Sequence, residues 1–174
     1  QGGGKGYEDV VMITLGTGVG GGIIRGGKIV AGTNGAAGEI GHMPMIDDES
    51  ECCGCGKKGC LEQYASANGL VNVAEKYIAA HRTVETELDL NAGFTAKDVC
   101  DAAKAGDKAG LAAVEESMRL LGKAMASVSC VIDPQVFVVG GGLSKAGNII
   151  IDTASKYYKE YAFHASRETE IKLA

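Results

Sequence analysis

The sequence predicts an α/β domain, and three features predict it. Apolar, β-branched runs at Val10–Leu15 and Val136–Val139 stop at glycines. A long apolar stripe recurs at helical spacing between Asp107 and Asp133. The last third reads helix, apolar strand, glycine turn, helix, strand, the alternation that covers a sheet with helices. A chain of 174 residues, 45% apolar, is long enough to bury one real core.

Val10-Val11-Met12-Ile13-Thr14-Leu15 is a buried strand by composition. Ile23-Ile24-Arg25 and Lys28-Ile29-Val30 flank Gly26-Gly27, a hairpin signal, so the first third reads as an antiparallel meander with glycine corners. Ala31–Glu62 is loop-rich. Ser66 is placed to cap a helix to about His81, with Leu70, Val71, Ala74, Tyr77 and Ile78 on one face. Arg82–Asn91 is a polar connector. Thr95 and Asp98 form a capping-box pattern that starts a short helix ended by Gly106.

Asp107 opens the clearest helix, with Leu111, Val114, Met118, Leu121, Met125, Val128 and Ile132 at alternating spacings of three and four. Asp133-Pro134 ends it. The strand Val136–Val139 runs into Gly140-Gly141-Gly142, a helix spans about Gly147–Tyr161, and Ile171-Lys172-Leu173-Ala174 reads as a strand with nothing after it. Residue 1 is Gln rather than Met, and the expectation is a piece trimmed from a longer chain.

Net charge is −5, which argues against a nucleic-acid surface, because phosphate backbones need concentrated Lys and Arg. A nucleotide site remains compatible, since backbone N–H groups and Mg²⁺ hold phosphates in an acidic protein. No apolar run approaches the ~20 residues that span a bilayer, and no signal-peptide pattern is present. The expectation is no membrane and a reducing, cytoplasmic compartment.

Four of the six cysteines fall in nine residues, Cys52 to Cys60, and His42 stands eleven residues before Cys53. In a reducing compartment such a cluster points to a metal rather than to disulfides. Cys53 and Cys55 are too close in sequence for an unstrained bridge, and the intervening glycines let the backbone wrap a single centre. His42, Cys53, Cys55 and Cys60 make a closed tetrahedral Zn²⁺ shell of three thiolates and one imidazole. Cys52 is left out, its side chain expected to point away. A closed shell has no position for water, so the Zn²⁺ is expected to be structural. Cys100 and Cys130 sit among small residues on helical patterns and read as core. Leu15–Gly22 is a glycine-rich candidate phosphate loop, though not the pattern of a P-loop.

The signature Gly38-Glu39-Ile40-Gly41-His42, then Cys53-Gly54-Cys55-Gly56-Lys57-Lys58-Gly59-Cys60-Leu61-Glu62, resembles the ROK family of sugar kinases and sugar-responsive repressors. The similarity extends to Leu15–Gly22 and to Val139–Ser144, thus over essentially the whole chain, and looks closest to the bacterial glucokinase branch. It implies a hexokinase/actin-like (ribonuclease H-like) ATPase domain with a zinc-binding loop. By that resemblance His42, Cys53, Cys55 and Cys60 are the zinc ligands, and Glu39, His42 and Glu62 contact glucose or a related hexose. Gly16, Thr17, Gly18 and Gly20 would contact the phosphates of ATP, bound with Mg²⁺, and Gly140, Gly141 and Gly142 would line the adenosine pocket.

The resemblance also implies that residues 1–174 are the C-terminal, larger lobe of a two-lobe kinase, without the N-terminal lobe and the final helix. The family's catalytic base is an Asp in an Asn-Asp pair upstream of the glycine-rich strand; Asp9 lacks the Asn. No catalytic residue is therefore assigned here, and the chain alone is expected to be inactive. A homodimer is a family expectation. Two alternatives stay open: the sugar-sensing lobe of a ROK repressor, and a ROK kinase for fructose, mannose or N-acetylmannosamine.

Overall fold

The computed structural model describes residues 2–174. Five strands form one mixed sheet: β1 (Val10–Leu15), β2 (Val19–Arg25), β3 (Lys28–Ile29), β4 (Val136–Gly140) and β5 (Glu170–Leu173). Their order across the sheet is β3-β2-β1-β4-β5. β1, β2 and β3 pair antiparallel, as the glycine hairpin predicts, with Ile24 opposite Ile29. β4 joins β1 in parallel, Val11 opposite Phe137, and β5 joins β4 in parallel. Parallel pairing requires a long crossover, and the residues between β3 and β4 supply it.

That crossover carries α1 (Glu62–Ala65), α2 (Ala67–Ala80), α3 (Ala96–Lys104) and α4 (Lys108–Ile132), and α5 (Asn148–Tyr161) leads to β5. The predicted caps form. Ser66 Oγ accepts from the Gly69 N–H, Thr95 and Asp98 make a reciprocal capping box, and Asp107 caps α4. Asp133, at the end of α4, takes the left-handed conformation, which a short polar side chain tolerates. No helix of the described residues is long and apolar enough to cross a membrane.

The sheet has two unequal faces. Val11, Ile13 and Leu15 point into the main core beneath α4 and α5, while Val10, Val136 and Val138 form a small second cluster with Tyr7 and Met12. α4 is the axis of the main core and packs against α2, α3 and α5. Its apolar stripe departs from the prediction at one end: Leu111 is exposed, while Ala109, Gly110 and Ala113 are buried. A three-four alternation repeats every 3.5 residues and drifts by about 20° per heptad around a helix of 3.6, so the first member turns outward. Cys130 is likewise exposed rather than core; Cys100 is fully buried as expected.

The stretch Leu15–Gly22 is not one loop. Gly20, Gly21 and Gly22 belong to β2, opposite Thr14, Ile13 and Met12, and the turn is confined to residues 16–18. Glycine spacing alone cannot separate a glycine-rich strand from a glycine-rich turn.

Tyr158 ties α5 to the sheet. Fully buried, its ring meets Phe137 edge-on at 5.5 Å, and its hydroxyl sits 2.8 Å from Ser129 Oγ and donates to the Ser166 carbonyl at 2.6 Å. Tyr158→Phe preserves the ring but strands both oxygens, a loss of about 1–3 kcal/mol. Urea unfolding should show a lower midpoint with an unchanged slope; an unmoved midpoint would mean that the hydroxyl contributes nothing.

Candidate functional site

The cysteine cluster closes because the backbone pairs around it. Met45 N–H donates to the Gly59 carbonyl at 2.7 Å, and Leu61 N–H to the Met43 carbonyl at 2.9 Å. Met43–Ile46 thus lies along Gly59–Leu61, which brings His42, at the end of a 3₁₀ turn (Ile40–His42), over the loop. Inside the loop, Cys53 N–H donates to the Lys57 carbonyl at 2.6 Å.

The result is one group of donors. One ligand atom each of His42, Cys53, Cys55 and Cys60 lies within 4.8 Å of all the others. Cys55 Sγ is 3.6 Å from Cys60 Sγ, and Cys53 Sγ is 3.7 Å from His42 Nδ1. With Zn–S near 2.3 Å, a tetrahedron spaces its sulfurs by about 3.8 Å, so the donor set fits a zinc-sized cation. Cys52 stands outside the group, exposed, and pairs by backbone with Lys58. Burial pushes the Cys53 thiol up to about 12 and raises that of Cys60, whereas the Lys57 N–H lowers that of Cys55. A cation binding here must expel thiol protons.

Glu39 and Glu62 flank the same imidazole. Glu62 Oε1 is 3.7 Å from His42 Nδ1 and accepts from the Cys53 thiol at 2.9 Å; Glu39 Oε2 is 3.9 Å from His42 Nε2. One ring nitrogen therefore faces the sulfurs and the other faces Glu39.

The 16–18 turn abuts this group. Gly16 N–H donates to the Gly18 carbonyl at 3.0 Å, and the first residue of α2, Ala67, donates its N–H to the Gly16 carbonyl at 2.8 Å. A Cβ on Gly18 would stand 2.6 Å from Glu62 Oε2; only glycine lets the carboxylate come so near. Two cavities open beside the turn. One, of about 560 Å³, has Gly16, Thr17, Gly142 and Leu143 on one wall and α3 on the other. The second, of about 410 Å³, is bordered by Thr17, Gly18, Cys53 and Glu62. Thr17 is common to both.

Three predicted contacts lie elsewhere. Gly20 sits in β2, where a Cβ would meet Thr14 Oγ1 at 2.7 Å; Gly140 is enclosed in β4 against Met12 and Ala174. Gly141, at φ 93°, allows a close crossing of Leu15, whose carbonyl oxygen would be 2.5 Å from an added Cβ. Of the triple glycine, Gly142 alone borders the larger cavity. Sequence reasoning missed the opposite wall, α3, where Lys97 and Lys104 both pair with Asp101. Charges at that spacing read as a solvated helix face.

A mixed sheet with two antiparallel and two parallel pairings, with a glycine turn beside a cavity of about 560 Å³, places the fold in the actin-like ATPase class. The chain belongs to the ROK family, whose sequence pattern matches residues 1–174. It is 42% identical over 164 residues to a glucokinase of Halalkalibacterium halodurans, covering 93% of this chain and 50% of that protein. Its fold matches a ROK family glucokinase from Streptomyces griseus in complex with glucose and AMPPNP, with a TM-score of 0.85 and 35% identity over 99% of this chain and 56% of that one. A ROK family transcriptional regulator, a homologue of the E. coli MLC protein, also matches: TM-score 0.81, 27% identity, 95% of this chain and 41% of that one. The chain spans about half the length of the curated relatives it matches.

The segment leading into the cysteine loop is anchored by Glu49, which accepts from Tyr64 Oη and pairs with Lys76 at 3.1 Å. The Tyr64 hydrogen bond, with smaller contributions from the Glu51 N–H and Lys76, holds this carboxyl down at about 2. A depressed carboxylate stabilises the fold above its unfolded value near 4.5, and the gain fades as pH falls toward 2. Glu49→Gln should therefore lower Tm at pH 7, and the gap to the parent should shrink between pH 4.5 and 2. A gap constant across that window would remove the charge from the account.

Proposed function

We propose that this chain is the C-terminal lobe of an ATP-dependent hexose 6-kinase, with glucose the favoured substrate. One observation carries the reading: Glu39, His42 and Glu62 converge beside a three-thiol, one-imidazole donor set, and Thr17 borders both the adjoining cavity and the larger one. Two carboxylates and an imidazole suit neighbouring sugar hydroxyls, which donate to the former and exchange hydrogen bonds with the latter.

Zinc, held by His42, Cys53, Cys55 and Cys60, would be structural, a fourfold crosslink that stiffens the loop. Its thiolate bond would replace the Cys53 proton that Glu62 now accepts, leaving Oε1 for a sugar hydroxyl. His42, bound to the metal through Nδ1, keeps Nε2 toward Glu39 and the sugar. Gly16, Thr17 and Gly18 present backbone to the phosphates, and Gly142 and Leu143 border the space for adenosine. Gly20, Gly140 and Gly141 act by shaping β2 and the end of β4. ATP arrives with Mg²⁺, which neutralises developing charge on the phosphoryl group.

Phosphoryl transfer also needs a carboxylate to take the attacking hydroxyl's proton. The reading assigns that role to an Asp outside these 174 residues, so the chain alone binds without turning over. A homodimer in the cytoplasm, where thiols stay reduced, completes it. The sugar-sensing alternative draws on the likeness to the regulator. Against it stands the 16–18 turn, open to a cavity of about 560 Å³, since a sensor has no need of a phosphate grip.

Kinetics of the complete protein with ATP against glucose, mannose, fructose and N-acetylmannosamine test the assignment. We expect the highest kcat/KM with glucose and a loss of at least ~100-fold in Glu62→Gln, because hydroxyl-reading sites discriminate strongly when a partner is lost. Another preferred sugar would reassign the substrate. No phosphorylation of any sugar, with sugar-dependent DNA binding instead, would establish the regulator reading. Glucose-dependent ADP release by the 174-residue chain alone would overturn the claim of an external base.

A further inference from the structure

Gln63 has no role in the account above, yet its carboxamide holds both stems of the cysteine loop. Its Oε1 accepts from the Cys60 N–H at 3.0 Å, and its Nε2 donates to the Glu51 carbonyl at 3.1 Å. Glu51 immediately precedes the loop's first cysteine, and Cys60 is its last donor. Gln63 is itself fixed, its N–H bonded to the Cys60 carbonyl at 3.0 Å inside the turn that starts α1. One planar amide thus spans the loop's two ends, and the residue before it is Glu62.

We propose that Gln63 is a positioning residue: it sets the separation of the loop stems so that Cys53, Cys55 and Cys60 meet His42 in one shell, and it locks that shell to the helical turn bearing Glu62. The proposal rests on the metal reading above. A preformed loop leaves less ordering for the cation to impose, so loss of the amide shows as weaker metal binding. The neighbouring anchor, Glu49 with Tyr64 and Lys76, fixes the chain two residues earlier and does not touch a donor residue.

The test uses this chain stripped of metal and titrated with Co²⁺, whose thiolate charge-transfer absorption reports the shell directly, and then with Zn²⁺ against a competing chelator. Gln63→Met removes both hydrogen bonds at similar size. Gln63→Glu keeps an acceptor for the Cys60 N–H but loses the donor to Glu51. We expect Zn²⁺ affinity to fall about 10–100-fold in Gln63→Met, the scale of outer-shell substitutions, with a smaller loss in Gln63→Glu and unchanged helical circular dichroism in both. Metal affinity equal to the parent's, even with a lowered Tm, would reduce Gln63 to a stabilising contact and overturn the proposal. If Gln63→Met does not fold, the Gln63→Glu affinity decides by the same criterion. If the parent takes up no Co²⁺, the metal reading itself fails and the proposal falls with it; a parent that binds beside an equally tight variant sinks only the proposal.

Discussion

The near approach of Glu62 to Gly18 is the constraint on which the two halves of the site depend. A Cβ at position 18 would come within 2.6 Å of a Glu62 carboxylate oxygen, so the strand turn after β1 and the helical turn after the cysteine loop meet closely here. β1 is the middle strand of the sheet, fixed on both sides by β2 and β4. Glu62 is fixed from the other direction, because Leu61 is fully buried and bonded to the Met43 carbonyl. The backbones on both sides of the contact are thus held in place, by a core strand on one side and a buried turn on the other.

In the proposed reading, that arrangement would let a structural zinc bear on chemistry it does not join. Without a cation, two of the thiols are buried and protonated, and the Cys53 proton is spent on Glu62. The carboxylate that faces the Gly16–Gly18 turn is then partly occupied by its own scaffold. In the proposed reading, exchanging the Cys53 proton for a metal would free Glu62 Oε1, while Met43–Ile46 stays paired with Gly59–Leu61 through the backbone. The imidazole works in the same direction: the nitrogen facing the sulfurs is Nδ1, so Nε2 stays turned to Glu39.

What was legible in the sequence was whatever depends on local pattern. The glycine hairpin, the caps at Ser66, Thr95 and Asp107, the β-branched strands and the gathering of His42 with three cysteines follow from residue type and spacing, and all of these stand in the structure. Less legible was the division of Leu15–Gly22 into turn and strand, because a glycine in β2 and a glycine in the turn look alike until pairing is known. The same blindness covered Gly140 and Gly141, whose close packing against Met12 and Leu15 glycine spacing does not reveal. The α3 wall and Gln63 escaped altogether. Their roles arise from elements far apart in sequence or from a side chain aimed at two backbone groups, and neither leaves a periodic trace.

The likeness of this lobe to both a kinase and a regulator has a physical reading in the same geometry. In the proposed reading, gripping a hexose falls to the acidic pair and the imidazole, which the segment from Glu39 to Glu62 brings together. In the same reading, gripping a phosphate falls to the backbone of the 16–18 turn and the cavity beside it, bordered by Gly142 and α3. The cysteine loop is tied to α1 and α2, and the first residue of α2, Ala67, also borders the larger cavity, so the two sets share a wall. The two sets meet at Gly18, where an added Cβ would come within 2.6 Å of Glu62 Oε2, so a bulkier turn would press on the carboxylate as well. In the proposed reading, the 16–18 turn, with its glycine seated against the Glu62 carboxylate, is the feature that favours phosphoryl transfer over sugar recognition alone.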